Sequence, residues 1–146
     1  LWHMLNDGDL VLIGFDLKKD IRIMEAAYDD SQGITADFNL NLLKRINREL
    51  AGEFNLNQFK FYSTYDAEAG AIQSYLISQI EQEVYIGDLE KIFHFKAFEA
   101  IHTESSYKFS LEDIELLAES NRFDIVEHYF DSNKRFTDSL WRVSKG

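Results

Sequence analysis

Cysteine and proline are both absent from the sequence. Without cysteine there is no disulfide, no thiolate metal ligand and no cysteine nucleophile, which is compatible with a reducing compartment. Without proline, no loop is stiffened by a pyrrolidine ring. Positive charge is scarce: 15 Lys and Arg stand against 26 Asp and Glu, a formal net charge of −11. No basic run reverses that field locally, so a sequence-independent grip on nucleic-acid phosphates is not expected. Long hydrophobic runs are missing as well, since nothing approaches the roughly 18 consecutive apolar residues of a membrane span. The opening stretch "LWHMLNDGDL" has neither the positive region nor the cleavage pattern of a secretory leader. Together these absences predict a cytoplasmic protein with no nucleic-acid or membrane partner. Glycines are few and isolated, as in "GDL" and "GIT", with no GxGxxG or GxxxxGKS loop to announce a nucleotide site. The four histidines, His3, His94, His102 and His128, lack the spacing of metal ligands and form no HExxH, so no metal is expected.

What the chain does contain is a core. At 146 residues with 45% hydrophobic and 14% aromatic content it has the material for one ordinary globular domain. It opens on Leu1 rather than methionine, with residues that read as the tail of a helix, so a fragment of a longer protein is expected.

The turn signal Asp7-Gly8 leads into a continuous apolar run over 10–15. Such a run predicts a central strand buried on both faces, as in a parallel α/β sheet. A short helix follows, with Ile21, Met24 and Tyr28 on one side, and then a loop over 29–33. The stretch "TADFNLNLLKRINREL" carries Phe38, Leu42, Leu43, Ile46 and Leu50 at helical spacing, with Thr35 as the expected N-cap and Gly52 near the C-cap. From 59 to 106 the period becomes two and β-formers dominate, predicting an antiparallel meander of four or five strands with a turn at Gly87-Asp88. Ser110 and Asp113 form a near-capping-box ahead of a helix whose inward face is read as Leu111, Ile114 and Leu117. Two last strands, separated by a polar turn over 132–134, predict a hairpin. That order gives an α/β fold class, α+β within this fragment, in which a mixed layer is interrupted by an antiparallel unit.

Two places carry candidate chemistry. In "IHTESSYKFS", strand geometry would put Glu104 and Ser106, two residues apart, on the same side. A carboxylate beside a hydroxyl can engage both nitrogens of a planar heterocycle or an amide. The plain alternative is a solvated Glu104 with Lys108 as its rim partner. Tyr28 in "YDDSQGITADFNLN" is either a phenol directed at a pocket mouth beyond a strand's carboxyl end, or a helix-end aromatic with Asp29 and Asp30 capping the turn.

"GDLVLIGFDLKKD", "AAYDDSQGITADFNLNLLKRINREL" and "HTESSYKF", in register over essentially the whole chain, resemble the histidine-specific, S-adenosylmethionine-dependent methyltransferases of ergothioneine biosynthesis. The resemblance implies a Rossmann-like class I core with an inserted, antiparallel-sheet-plus-helices domain for the amino acid. Residues 1–17 would be a core strand, 18–108 the substrate domain, and 109–146 the last helix and closing hairpin of the core. The cofactor S-adenosyl-L-methionine would be held by an amino-terminal half expected upstream. Tyr28 would help bind the substrate carboxylate, Glu104 and Ser106 would hold the imidazole, and Thr35 and Phe38 would lie near that pocket. Ser74 departs from the family pattern. It occupies the position of a methionine packed near the imidazole, which enlarges the pocket or admits a water. No residue is expected to be a covalent catalyst, and this chain alone is expected to be inactive. The residues leave open a non-catalytic amino-acid-binding module, and a reading in which these positions only pack. Which amino acid is methylated, and the oligomeric state, are not set by the sequence.

Overall fold

The computed structural model describes residues 1–145. Its contacts divide the chain into two units, Leu1–Asp20 with Tyr107–Gly146, and Ile21–Ser106.

In the first unit a single 3-10 turn, Trp2–Met4, precedes β1 (Leu10–Asp16). Helix α3 (Leu111–Ser120) leads into β7 (Phe123–Phe130) and β8 (Phe136–Val143). The strands form an antiparallel sheet in the order β1-β8-β7. β1 is therefore an edge strand paired with β8, not the central, parallel-type strand expected. Nor is it buried on both faces: Leu10 and Leu12 are 56% and 60% exposed, while Phe15 is buried. A continuous apolar run shows that both faces are hydrophobic, but what covers each face depends on its neighbours. The core here is Phe15, Leu17, Ile114, Ala118, Phe123, Trp141 and Val143, with Phe15 and Trp141 stacked at 5.7 Å. α3 begins with a full capping box, in which Ser110 accepts from the Asp113 amide and Asp113 accepts from the Ser110 amide. Its inward pair is Ile114 and Ala118. Leu111 and Leu117 lie at the rim, because the i,i+4 pair, not the whole apolar set, points at the sheet. The hairpin turn is held by Asp131, whose carboxylate accepts from the Asn133 and Phe136 amides.

The outgoing and returning segments of this unit are tied together. Leu17 and Phe109 form a parallel bridge, with Lys18 N donating to Phe109 O at 2.9 Å and Phe109 N to Asp16 O at 3.0 Å. Lys108 is fully buried at its side chain and pairs with Asp16 Oδ2 at 2.9 Å. It is not the rim partner of Glu104 that adjacency on the strand suggested. Lys19 also pairs with Asp16. Burial pushes the Asp16 carboxyl up, but the hydrogen bonds and charges of Lys19 and Lys108 outweigh it and hold the group below the ordinary carboxylate value.

In the second unit α1 (Ile21–Ala26) and α2 (Ile34–Glu49) precede β2 (Phe59–Asp66), β3 (Ala71–Ser78), β4 (Gln82–Ile86), β5 (Lys91–Phe95) and β6 (Ala100–Tyr107), the last residue of which falls in the first unit. The five predicted strands form, but not as one meander. They make two sheets, β2-β3-β6 and β4-β5, so β6 joins β3 and skips its sequence neighbour. Period-two patterning marks strands without saying which pair. Leu43, Phe54, Phe59, Leu76, Val84 and Ile86 form the core.

α2 is rotated from its expected face: Asn39 and Leu43 are buried, whereas Phe38 and Leu42 are 72% and 40% exposed. Thr35 is not the N-cap. Gly33 holds that position at φ +70°, and Asp30 supplies the capping oxygens. At the other end Ala51, with φ +49°, takes the left-handed place expected of Gly52. The fold is α+β with antiparallel sheets, and no helix among the described residues is long and apolar enough to cross a membrane.

Candidate functional site

Tyr28 is positioned by the turn between α1 and α2. Its amide donates to Glu25 O at 2.9 Å, as does that of Asp29, continuing the last turn of α1. Gly33 N returns to Asp30 O at 2.9 Å, and the left-handed Gly33 redirects the chain into α2. The Asp30 carboxylate then accepts from the Thr35 and Ile34 amides, each at 2.9 Å. The Thr35 amide, then the Ile34 amide, hold the Asp30 carboxyl below its ordinary value, with the Thr35 side chain adding a further bond. The cluster of acids and glycine after Tyr28 is therefore a rigid cap. With its backbone fixed this way, the phenol donates to Ser106 Oγ at 2.6 Å.

The sheet face under α2 is layered by side-chain chemistry. In the β2–β3 register Phe61 lies opposite Leu76, Ser63 opposite Ser74, and Tyr65 opposite Ile72. Ile72, Ser74, Leu76 and Ser78 are all buried, and Leu76 packs with Leu43 of α2. A polar row thus interrupts an apolar face. Thr103 Oγ1 lies 2.6 Å from Asn39 Oδ1 and 3.0 Å from the Ser74 carbonyl, two acceptors for one proton. Asn39 Nδ2 donates to Thr35 O at 3.0 Å, so the buried asparagine is used at both ends of its amide.

β6 does not keep strict alternation. His102 Nε2 and Ser105 Oγ, three residues apart, both reach Gln73 Oε1, at 2.7 and 2.6 Å. Gln73 points away from the face that Ser74 buries, and Thr103 between them turns to α2. The irregularity lies within the motif itself, so the same-side inference for Glu104 and Ser106 does not follow from simple period two. Ser106 is turned to Tyr28. Glu104 is exposed and lines a hollow of about 340 Å³ with Phe38, Asn39, Leu42, Arg45 and Thr103.

Of the six expected site residues, Tyr28 and Ser106 bond directly, and Glu104 and Phe38 share the hollow. Thr35 contributes its backbone and cap contacts. Ser74 is 1% exposed and bonds to Thr103 through its carbonyl, with no hydrogen-bond partner for its hydroxyl. Sequence reasoning missed Asn39, Thr103 and Ser63. A signal existed for two of them, since Asn39 falls one turn before Leu43 on a buried stripe and Ser63 breaks the inward series Phe59, Phe61, Tyr65. The residues that line the hollow with Glu104 do not include Tyr28 or Ser106, so the carboxylate and the phenol–hydroxyl pair are not brought into one cavity. Among the described residues no cluster of three His, Asp or Glu gathers as a metal site.

The family described as histidine-specific methyltransferase, SAM-dependent, matches residues 1–143. The histidine N-alpha-methyltransferase of Mycolicibacterium smegmatis is 37% identical over 110 residues, which is 75% of this chain and 34% of that protein. The protein of the same name from Mycobacterium tuberculosis is 38% identical over 106 residues, covering 73% of this chain and 33% of that one. Ergothioneine biosynthesis protein 1 of Schizosaccharomyces pombe is 33% identical over 127 residues, 86% of this chain and 16% of its own length. The chain thus spans about a third or less of the length of these relatives.

Proposed function

Because the chain belongs to the histidine-specific, SAM-dependent methyltransferases, we propose that the complete protein transfers a methyl group to the α-amino nitrogen of histidine or a related amino acid. In this reading the unit Ile21–Ser106 is the amino-acid-binding part, and Leu1–Asp20 with Tyr107–Gly146 belongs to a Rossmann-like core. The observation that carries it is the 2.6 Å bond from Tyr28 to Ser106, since it joins two motifs 78 residues apart to which the resemblance gives substrate-binding roles. The relatives, all named for this chemistry or its pathway, support methyl transfer over a non-catalytic binding module.

S-adenosylmethionine, when bound, supplies an electrophilic sulfonium methyl. A Cβ added at Gly14, Gly52 or Gly87 would meet atoms of Phe136, Asn47 or Ala51 at 2.6, 3.0 and 2.9 Å, so these glycines serve the chain's own packing. The residues here serve the amino acid. On binding, the Tyr28 phenol would exchange Ser106 for the substrate carboxylate, and Glu104 and Ser106 offer an acceptor and a two-way hydroxyl to the imidazole nitrogens. Thr35 holds the Asp30 cap and Phe38 forms the apolar wall. Their task is orientation, bringing an unprotonated amine in line with the methyl so that the encounter becomes effectively intramolecular. None of them acts as a covalent catalyst.

The test is made on the complete protein. Glu104→Ala should raise KM for histidine about tenfold or more while leaving the fold intact, because a charge-assisted hydrogen bond is lost. An unchanged KM removes Glu104 from the site. Calorimetry with S-adenosylmethionine and a panel of amino acids tests the reading as a whole, and no heat with either class of ligand defeats it.

A further inference from the structure

In β6 the residues around Glu104 point in directions that a regular strand does not give. Thr103 faces α2, with Oγ1 2.6 Å from Asn39 Oδ1 and 3.0 Å from the Ser74 carbonyl. His102, just before it, faces the other way, with Nε2 2.7 Å from Gln73 Oε1 and its ring centroid 5.3 Å from that of Tyr75. Were alternation kept, Glu104 would side with His102, and Ser105 with Thr103. Instead Glu104 stays with Thr103 in the hollow lined by Phe38, Asn39, Leu42 and Arg45 of α2. Ser105 turns the opposite way and donates to Gln73 Oε1 at 2.6 Å. A slip of one residue reverses every side chain beyond it. The break between Thr103 and Glu104 therefore turns Glu104 away from Gln73 and, two residues on, turns Ser106 to Tyr28.

One oxygen of Gln73 thus bonds a residue from before the break and a residue from after it. Ser105 Oγ also lies 3.1 Å from His102 Nε2, which closes the three groups into a triangle. Resting on the amino-acid-methyltransferase reading above, we propose that Gln73 is a positioning residue, whose side-chain carbonyl staples β6 across the break and so sets the directions in which Glu104 and Ser106 are presented. A break of this kind interrupts the ladder locally, and a strand with nothing to hold it returns to regular pleating, which would carry Glu104 out of the hollow. The bonds of Thr103 to Asn39 and to the Ser74 carbonyl fix the strand only up to the break. The arm from Ser105 fixes it afterwards. Gln73 touches no substrate in this assignment and acts through Glu104 and Ser106.

The experiment measures KM and kcat for histidine in the complete protein, with S-adenosylmethionine affinity as a control. Gln73→Met keeps the side-chain length and removes the shared acceptor. It should raise KM on the order of tenfold, the effect of losing one to two hydrogen bonds, with kcat and cofactor affinity within about twofold of wild type. Gln73→Glu, which keeps an acceptor for both arms, should hold KM within about twofold of wild type. In a Glu104→Ala background Gln73→Met should raise KM by no more than about threefold, because the residue through which most of its effect passes is gone. Equal effects in both backgrounds overturn the role of Gln73 alone, as does an unmoved KM for Gln73→Met where Glu104→Ala does raise it. A merely structural role would lower Tm and weaken histidine and cofactor alike, and that result also overturns it. Should Gln73→Met fold poorly, Ser105→Ala removes one arm only and should raise KM about threefold with Tm held; an unchanged KM there counts against the staple in the same way. A wild type that methylates no amino acid, or a Glu104→Ala variant with unchanged KM, defeats the reading on which the assignment rests.

Discussion

In the unit formed by Leu1–Asp20 and Tyr107–Gly146, buried polar groups are used to hold the fold. Trp141 Nε1 donates to the buried Ser139 at 2.6 Å, Thr137 Oγ1 donates to Tyr129 O at 3.2 Å, and Lys108 is paired with Asp16; Nδ1 of His128 is the exception. In Ile21–Ser106 the apolar half of the sheet face is packed around Leu43 and Leu76, but the adjoining row contains two hydroxyls without partners. The contrast separates two uses of a buried polar atom. Where it is paired within the chain it specifies the fold, and where it is left unpaired it costs stability.

Substitutions can break or sharpen that contrast. The largest effect is expected at Trp141, 3% exposed and packed on Phe15 and Phe123. Trp141→Ala should cost about 3–5 kcal/mol in urea unfolding, because it leaves a large cavity and frees the Ser139 hydroxyl. Next comes Asp16→Ala, which removes the carboxylate facing the fully buried Lys108 side chain and should cost about 3 kcal/mol. The same residue gives a pH signature. Its carboxyl is held below the ordinary value in the folded protein, so the stability it contributes is complete above the unfolded value near pH 4 and is lost as pH falls through the lower, folded value. A stability–pH curve of Asp16→Ala should therefore be flatter in acid than that of wild type, and an equally steep curve would remove the pair from the account.

In the other unit, Tyr28→Phe removes the donor to Ser106. It should raise KM for histidine in the complete protein about 3- to 10-fold at a stability cost of no more than about 1.5 kcal/mol. If stability falls more than binding does, that bond is structural and the contrast between the units narrows. The smallest effect is Ser110→Ala, which opens the capping box of α3 and should cost about 1 kcal/mol in thermal unfolding without changing ligand binding.

Much of the local architecture could be read from residue order. The Ser110 cap, the two-strand ending, the Gly87-Asp88 turn and all five strands between 59 and 107 follow from turn chemistry and period. The errors share a cause. β1 lies at a sheet edge and not at its centre, α2 buries Asn39 and Leu43 while Phe38 and Leu42 stay exposed, and β6 pairs with β3 and not with β5. Each needed knowledge of what lies across from the element, which patterning within a segment does not contain. The site was legible in its motifs, Tyr28 and Ser106 above all. The polar row was not, because Ser63, Ser74, Asn39 and Thr103 come from four elements, and a serine on a strand has nothing local to distinguish a buried hydroxyl from a solvated one.

By itself, the sequence determined which segments are helix, strand or turn, and through its motifs the family, since these depend on neighbours within a few residues. Only the tertiary structure decided that the Tyr28 phenol meets Ser106, that Lys108 turns inward to Asp16, and that two serines oppose each other without partners. Those outcomes depend on strand order, register and a break in alternation, which are settled by the packing of segments far apart along the chain.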